Sequence, residues 1–175
     1  MSILNLGAGS LKIYGADNVD INPELGTELC FDLREKFPLE DKSYDEIYLF
    51  HTIEHIEKKH HTNIFAEIRR VLKDDGMLLV TYPEFSKIVQ NWLINKDNQR
   101  HFWEATVYGR QLYSSDYHVC AMDSADFKQF LMDRGFEATS ILPEPMDIYN
   151  TILRAKKGQI TMTYEEVLYN EVFAK

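Results

Sequence analysis

The sequence predicts an α/β domain with a largely parallel sheet. Short apolar segments alternate along the chain with longer segments whose apolar residues recur at helical spacing, the pattern of strand–helix–strand units. Residues 47–50 form a continuous apolar run, typical of a strand buried on both faces of a parallel sheet. A glycine turn at residues 7–9 directly follows the first apolar segment. These three observations define the fold class before any single residue is given a role.

The first half of the chain contains five predicted strands and one clear helix. The strands cover residues 3–6, 18–21, 28–31, 44–50 and 77–82, and Pro83 ends the fifth. The helix is predicted over residues 61–73, and Gly76 is placed to end it in a left-handed conformation. Its apolar residues repeat on one face, which predicts a buried stripe formed by Ile64, Phe65, Ile68, Val71 and Leu72.

The second half of the chain is less regular. A helix over residues 84–95 is expected to bury Ile88, Val89, Trp92 and Leu93. Ser124 is predicted to cap a short helix that Gly135 stops. Two late strands, 136–142 and 148–155, are separated by a short turn region and are therefore expected to pair antiparallel. Residues 1–158 are interpreted as one domain, and residues 159–175 as an extension of that domain.

Residues 96–123 are predicted to be a long irregular stretch, which in a compact domain is usually functional or mobile. The stretch is rich in aromatic residues, and these form either the wall of a substrate pocket or a packed lid: Phe102, Trp103, Tyr108, Tyr113 and Tyr117.

The charge and cysteine content exclude several classes of protein. The chain has 19 basic and 28 acidic residues and a formal net charge of -9, which disfavours unaided binding to nucleic acid. Two cysteines are too few for a disulfide framework and fit a reducing compartment. No apolar run is long enough to span a bilayer and no signal peptide is evident, so we expect a cytoplasmic protein without a membrane partner.

A glycine turn and two carboxylates provide the parts needed to bind an adenosine. Glycines allow the backbone to approach a ligand where a Cβ would clash. Asp20 and Asp32 each close a predicted strand, and a carboxylate at a strand end can accept from both ribose hydroxyls. The spacing fits a dinucleotide fingerprint poorly, because Lys12 occupies the third glycine position and Asp20 comes too early.

The ordered set of motifs over residues 3–83 resembles the class I S-adenosylmethionine-dependent methyltransferases. The first motif, Leu-Asn-Leu-Gly-x-Gly, is found at residues 4–9 and resembles that of a small branch of the family. Asn-Val-Asp-Ile follows at 18–21, and Asp-Leu at 32–33. A histidine that ends a strand and precedes Glu-His is found at 51–55, and Glu-Ile-Arg-Arg-Val-Leu-Lys at 67–73.

The resemblance implies a Rossmann-like, doubly wound, seven-stranded sheet of order 3-2-1-4-5-7-6 with strand 7 antiparallel. It implies S-adenosylmethionine as cofactor and methyl transfer as activity. Asp20 and Ile21 would bind at the ribose, and Asp32 and Leu33 at the adenine. The remaining cofactor-binding residues would line the methionine and ribose side: Gly7, Ala8, Gly9, Phe50 and His51.

Two departures from the family bear on activity. The chain begins almost on its first strand, so the N-terminal helices that often cover the cofactor are missing. Residues 10–17 also leave little room for a helix between the first two strands. We therefore expect an open cofactor site, which a second copy or a partner subunit would cover. The alternative function is a non-catalytic module of the same fold that binds the cofactor or serves as an assembly subunit.

Several residues are candidates for chemistry at the acceptor. His118 is the first choice for a general base, because the pKa of free histidine lies near neutrality; Asp116, His51 and Tyr113 are the others. His51-x-x-Glu54-His55 has the spacing of an inverted zinc-protease motif, but it begins at a strand end and lacks a third ligand, so no metal is predicted. The acceptor itself is expected to be a small molecule or a protein side chain.

Overall fold

The computed structural model describes residues 1–95, 100–112, 115–144 and 149–158. The strands are β1 (Ile3–Leu6), β2 (Asp17–Asp20), β3 (Leu29–Cys30), β4 (Tyr44–Phe50), β5 (Leu72–Pro83), β6 (Phe136–Pro143) and β7 (Asn150–Lys157). The helices are α1 (Lys58–Val71), α2 (Phe85–Asn95), α3 (Arg100–Tyr108) and α4 (Ser124–Asp133). The extension at 159–175 and the candidate base Tyr113 lie outside the described residues.

All seven strands form one sheet in the order β3-β2-β1-β4-β5-β7-β6. Strands β1 to β5 pair parallel, and β7 pairs antiparallel with both β5 and β6. The predicted order and the antiparallel seventh strand are confirmed. The chain winds away from β1 in both directions, to β2 on one side and β4 on the other. In open α/β sheets, ligands bind beyond the carboxyl ends of the strands at such a reversal.

Helices α1 and α4 cover one face of the sheet. The ring of Phe65 on α1 lies 5.6 Å from that of Phe127 and 5.5 Å from that of Phe130, both on α4. Beneath them, Ile47 and Leu49 of β4 are fully buried. Tyr48 and Phe50, which point to the other face, are only half-buried. The prediction that β4 is buried on both faces was therefore wrong for these two residues.

Two buried asparagines hold the loop that joins β1 and β2 without a helix. Residues 7–16 are all described and form no helix, as the sequence predicted. Asn5 of β1 donates to the Leu11 carbonyl at 2.9 Å and to the Asn18 side chain at 2.9 Å. Asn18 of β2 in turn accepts from the Ile13 amide at 2.8 Å. Both side chains are almost fully buried, so this loop is fixed to the sheet by hydrogen bonds instead of apolar packing.

Several predicted boundaries and roles were wrong. Helix α1 begins at Lys58 and ends at Val71, and Gly76 lies within β5 instead of ending the helix. A Cβ on Gly76 would lie 3.0 Å from the Asp45 carbonyl, so close packing is what requires this glycine. Helix α4 is capped by Asp123, whose side chain accepts from the Ala125 amide, and not by Ser124.

Helix α2 is much less buried than its sequence pattern predicts. Ile88 is 3% exposed, but Trp92 is 45% exposed and Leu93 62% exposed, so the assignment of these two to the core was wrong. The helix follows the carboxyl end of β5 and packs on α3 beyond the sheet. Its second apolar side is consequently left facing outward.

Candidate cofactor and acceptor site

The glycine turn after β1 is held in place by a residue from the end of β4. Gly7 has a φ of +67°, and a Cβ added to it would lie 2.3 Å from Cγ2 and 2.5 Å from Oγ1 of Thr52. The Thr52 hydroxyl is 2.9 Å from the Phe50 carbonyl and 3.3 Å from that of Gly7. Thr52 is nearly buried. A glycine is therefore required at position 7 by both its backbone conformation and its neighbour.

Asp20 fixes the other side of the same turn. Its Oδ2 accepts from the Gly9 amide at 2.8 Å, and its Oδ1 from the Asn22 amide at 2.9 Å. Gly9 has a φ of +52°, and a Cβ on it would meet no atom of the described residues within 4 Å. Next to Asp20, Ile21 is 50% exposed. The turn thus borders open space, with a half-buried carboxylate that retains free lone pairs at the end of β2.

Asp32 lies beyond the end of β3, and its carboxylate already accepts hydrogen bonds from Arg34. The guanidinium of Arg34 donates to it from Nη2 at 2.6 Å and from Nε at 2.9 Å. The hydrogen bond from Arg34 is the main reason that the pKa of Asp32 is lowered. The neighbouring Leu33 is buried. A hydrogen bond from an adenine amino group to Asp32 would have to share the carboxylate with Arg34.

His51 ends β4 in a left-handed conformation, with a φ of +47° that is unusual for a residue other than glycine. Its Nδ1 lies 3.4 Å from Oε1 of Glu54, and its Nε2 lies 3.5 Å from Oε2 of Glu144. Burial lowers the pKa of His51, but the two carboxylates raise it by more, so the net shift is upward. Phe50, before it, stacks on Tyr48 at 5.2 Å.

Glu54 connects the end of β4 to the segment that precedes α4. Its backbone carbonyl accepts from the Val119 amide at 2.8 Å, and this contact brings His118 next to His55. The two imidazole rings are 4.8 Å apart. The Glu54 side chain is only 1% exposed. The structure therefore brings together a histidine and a glutamate from the 51–55 motif with a histidine more than sixty residues further on.

His118 has the geometry of a neutral imidazole. Its Nδ1 lies 3.0 Å from the Thr106 carbonyl, which can only accept, so Nδ1 carries the proton and Nε2 keeps its lone pair. Burial lowers the pKa of His118. Asp116, another candidate base, is buried and accepts from the Leu112 amide at 3.1 Å. Asp116 organises its own loop, and a Cβ on Gly109 would lie 1.9 Å from its carbonyl oxygen.

A cavity of about 170 Å³ opens beside His118. Its polar lining includes Glu54 and His118, and its apolar lining includes Pro83, Phe85 and Ile88. Of the aromatic stretch, Tyr108 also lines this cavity, whereas Trp103 is buried and packs against Tyr149. Whether the stretch forms a substrate pocket wall or a packed lid stays a prediction.

Sequence reasoning missed two residues of this site. Thr52 was not singled out, although a small β-branched residue directly after a strand-ending histidine is what limits position 7 to glycine. The position of Glu54 before a helix predicts that it fixes the start of that helix, but its carboxylate is buried beside the cavity. The position of His61 near a helix start predicts an exposed side chain, but His61 is 3% exposed and its Nε2 lies 2.8 Å from the Ile56 carbonyl.

The comparisons with known proteins agree with this geometry. Residues 14–80 match the family model of a methyltransferase domain. A Methanosarcina mazei protein described as a SAM-dependent methyltransferase has a TM-score of 0.65 at 16% identity, over 90% of this chain and 92% of that chain. No curated protein sequence matches the chain.

Two further solved structures share the fold. One comes from a complex between the Haloferax volcanii Trm112 methyltransferase activator and a methyltransferase. It has a TM-score of 0.61 and 15% identity over 90% of this chain and 83% of that chain. The other is the Burkholderia thailandensis 1,6-didemethyltoxoflavin-N1-methyltransferase with S-adenosylhomocysteine bound. Its TM-score is 0.59 at 11% identity, over 90% of this chain and 71% of that chain.

The chain therefore shares the fold of solved S-adenosylmethionine-dependent methyltransferases, and its residues 14–80 match the model of a methyltransferase domain. The resemblance drawn from the sequence is confirmed at that level. The narrower branch suggested by the motif at residues 4–9 stays a prediction. Among the helices that the structure describes, none is long and apolar enough to cross a membrane.

Proposed function

We propose that the protein transfers a methyl group from S-adenosylmethionine to a small molecule or a protein side chain. The observation that carries the proposal is the convergence of three strand ends on one turn. Thr52, two residues beyond β4, and Asp20 of β2 hold Gly7 and Gly9 after β1. This arrangement lies at the reversal of strand order, where open α/β sheets bind their ligands.

The residues around the turn fit the cofactor. The backbone of Gly7, Ala8 and Gly9 would face its methionine and ribose side, because no described side chain fills the space above Gly9. Asp20 would accept from the ribose hydroxyls, and the exposed side chain of Ile21 would pack beside them. At the adenine end, Leu33 and Asp32 would contribute. Phe50 and His51 would border the methionine end.

When bound, S-adenosylmethionine supplies an electrophilic methyl group on a positively charged sulfur. The task of the protein is then to hold the acceptor in line with that group and to exclude water. The cavity beside His118 is suited to this task because it is apolar on one side and polar at Glu54. An apolar cavity of about 150 Å³ holds a benzene ring, so one six-membered ring of the acceptor fits here.

His118 is the proposed base for an acceptor that must lose a proton. Its Nε2 keeps a lone pair, and its lowered pKa keeps the ring neutral at physiological pH. His51 is the weaker candidate, because nearby carboxylates raise its pKa and favour its protonated form. A large nucleic acid is a poor acceptor for a chain of net charge -9.

We also propose that a second copy of the chain or a partner subunit covers the cofactor turn. Three apolar side chains close to that turn are exposed: Leu11 at 60%, Tyr14 fully and Ile21 at 50%. The Haloferax neighbour comes from a complex with a methyltransferase activator, which is a property of that protein. Light scattering on the purified chain, with and without cofactor, measures whether it associates.

The test of the proposed function is calorimetric titration with S-adenosylmethionine and S-adenosylhomocysteine. We expect binding at micromolar concentrations, on the order of −8 kcal/mol. Gly9→Ala places a methyl group in the open space above the turn and should abolish binding while the chain stays folded. Absence of binding by the wild type up to about 1 mM, near −4 kcal/mol, would refute the cofactor assignment.

Binding without turnover would favour the second candidate function, a non-catalytic cofactor-binding module. A screen of acceptors that carry a ring hydroxyl or amine, followed by mass spectrometry for a gain of one methyl group, distinguishes the two. A His118→Gln variant that keeps cofactor affinity but loses turnover would support the role of His118 as base. Unchanged turnover in that variant would exclude it.

A further inference from the structure

Two of the glutamates that the structure describes are buried, and their surroundings differ sharply. Glu84 is 3% exposed, and its carboxylate accepts from four donors: the Ser124 amide and the hydroxyls of Ser86, Ser124 and Thr151. Glu54 is 1% exposed, yet neither of its oxygens accepts a hydrogen bond from any residue that the structure describes. Burying a polar group without hydrogen-bond partners is costly, so the Glu54 carboxylate is a candidate for binding a ligand.

His51 is an incomplete counterpart. It approaches only Oε1, at 3.4 Å, and its own Nε2 faces Glu144 and the Asn150 amide at 3.5 and 3.4 Å. Oε2 has no hydrogen-bond partner in the described part of the chain. The lone pairs of the Glu54 carboxylate are therefore not used by any donor among the described residues.

Two further histidines lie close to the Glu54 carboxylate, and the Nδ1 atom of each ring is hydrogen-bonded to a backbone carbonyl. His55 Nδ1 lies 3.0 Å from the Tyr117 carbonyl, and His118 Nδ1 lies 3.0 Å from the Thr106 carbonyl. Because a carbonyl can only accept, Nδ1 is the donor in each ring, and Nε2 of the neutral ring has a lone pair. This arrangement, a ring proton donated to a backbone carbonyl, is how metal-binding histidines are oriented and made more basic.

We propose that Glu54, His55 and His118 form a binding site for a divalent transition-metal ion. One ligand atom of each residue lies within 4.8 Å of the other two. An ion with ordinary bond lengths of about 2.0–2.2 Å requires the three ligand atoms to move closer together, by up to about 1 Å or slightly more for a pair at the limit of this range. Two imidazoles and one carboxylate favour Zn²⁺ and its first-row neighbours over Mg²⁺ and Ca²⁺, which prefer all-oxygen ligands.

Three protein ligands leave a coordination position open, as in catalytic metal sites. Glu54 and His118 both line the 170 Å³ cavity, so that position faces the proposed acceptor. The acceptor would then be a molecule with an oxygen or nitrogen atom that binds the ion and that also receives the methyl group. This last step rests on the proposed function, whereas the metal site itself does not. With the ion bound, His118 acts as ligand, and the ion lowers the pKa of the bound acceptor group.

The experiment is titration of chelator-treated full-length protein with Co²⁺, followed by its visible absorption, and with Zn²⁺, followed by calorimetry. We expect one ion per chain. His55→Ala and His118→Ala should each weaken binding by more than about tenfold, because even partners outside the first coordination sphere contribute that much. Glu54→Gln should do the same. His60→Ala is the matched control, a nearby histidine outside the group, and should bind the ion as the wild type does.

Circular dichroism and cofactor titration on the same samples show that each variant is folded. Wild-type protein that binds neither ion up to about 1 mM, or His55→Ala and His118→Ala variants that bind as tightly as the wild type, would overturn the metal site. Wild-type protein that binds the metal ion but no cofactor would refute the proposed function alone. Wild-type protein that binds the cofactor but neither metal ion would refute the metal site alone.

Discussion

The contact between Gly7 and Thr52 gives the sharpest prediction about this fold. In Gly7→Ala the new methyl group must occupy a position 2.3 Å from Cγ2 and 2.5 Å from Oγ1 of Thr52. Thr52 is β-branched and nearly buried, so its side chain cannot rotate away freely. The substitution also forces alanine to adopt a φ of +67°.

The magnitude follows from these two contributions. A left-handed conformation costs alanine about 1–2 kcal/mol relative to glycine. Overpacking against a buried side chain costs about 1–3 kcal/mol, including loss of the Thr52 hydrogen bond to the Phe50 carbonyl at 2.9 Å. Gly7→Ala should therefore lower the free energy of unfolding by about 2–5 kcal/mol. In a chain of this size that is a fall in Tm of roughly 4–20 °C.

A second substitution separates the two contributions. Thr52→Ala removes Cγ2 and Oγ1, so the double variant Gly7→Ala/Thr52→Ala should be more stable than the sum of the single effects by about 1–2 kcal/mol. Relief is incomplete because the Thr52 Cβ stays 3.0 Å from the new methyl group. Gly9→Ala is the control, since its φ is +52° but the space beside it is open. Its loss of stability should reflect only the cost of the left-handed backbone conformation.

The assay is urea unfolding followed by tryptophan fluorescence, with cofactor titration on each variant. Additive effects in the double variant would refute the reasoning that Thr52 dictates glycine at position 7. A Gly9→Ala variant as unstable as Gly7→Ala would refute it as well, because then the backbone conformation would explain both. Gly9→Ala should still lose the cofactor.

Three further predictions concern stability. The guanidinium of Arg70 lowers the pKa of Glu67 below its usual 4.5. This carboxylate therefore stabilises the fold above pH 4.5, and the contribution is lost as the pH falls through the lowered value. Glu67→Gln should cost about 1–2 kcal/mol at pH 7, and in urea unfolding its free energy of unfolding should fall less between pH 7 and 3 than that of the wild type. Glu84→Gln should destabilise the chain by about 2–3 kcal/mol, whereas Glu54→Gln should leave the metal-free protein equally or more stable, and equal losses would contradict the contrast between them. Trp92→Lys should change the free energy of unfolding by less than about 0.5 kcal/mol, since this side chain lies at the surface, and a loss above 2 kcal/mol would place it in the core.

The sheet was predictable because its signals are local or topological. Apolar runs and strand-ending acids predict the strands. The family resemblance carried by the ordered motifs at residues 4–9, 18–21 and 51–55 predicts the order of those strands in the sheet. The interior of β4 shows the limit of this reasoning. A continuous apolar run predicts burial on both faces, but the linker between β1 and β2 carries no helix, and Tyr48 and Phe50 stay half-buried.

The acceptor side was not predictable, because its contacts join distant parts of the chain. His118 meets His55 through a backbone hydrogen bond between Val119 and Glu54, and no local periodicity reports such a contact. The 51–55 motif has the spacing of metal ligands, but its position at a strand end and the lack of a third ligand predict no metal there. The group on which the metal proposal rests is a different one: it contains Glu54 and His55 but not His51, and its His118 comes from the irregular stretch before α4.

The linker between β1 and β2 also determines what must hold the cofactor. A helix after the glycine turn would direct its N-terminal amides and positive dipole at the ligand. Residues 10–16 form no helix, and the Gly9 amide is already donated to Asp20 at 2.8 Å. Binding should therefore depend more heavily on the carboxylate of Asp20. Two charge-assisted hydrogen bonds to ribose hydroxyls contribute about 3 kcal/mol or more, a hundredfold in affinity.

Asp20→Ala should consequently weaken cofactor binding by at least about a hundredfold in calorimetry, with a loss of stability near 1–2 kcal/mol from the freed Gly9 and Asn22 amides. Glu28→Ala is the matched control, because Glu28 accepts from Asn18 on the same strand but lies away from the turn. It removes side-chain acceptors from backbone and side-chain donors of the same strand and should keep its affinity for the cofactor. A parallel fall of affinity in both variants would mean that Asp20 supports the turn without touching the ligand, and that backbone groups of the turn bind the cofactor despite the missing helix.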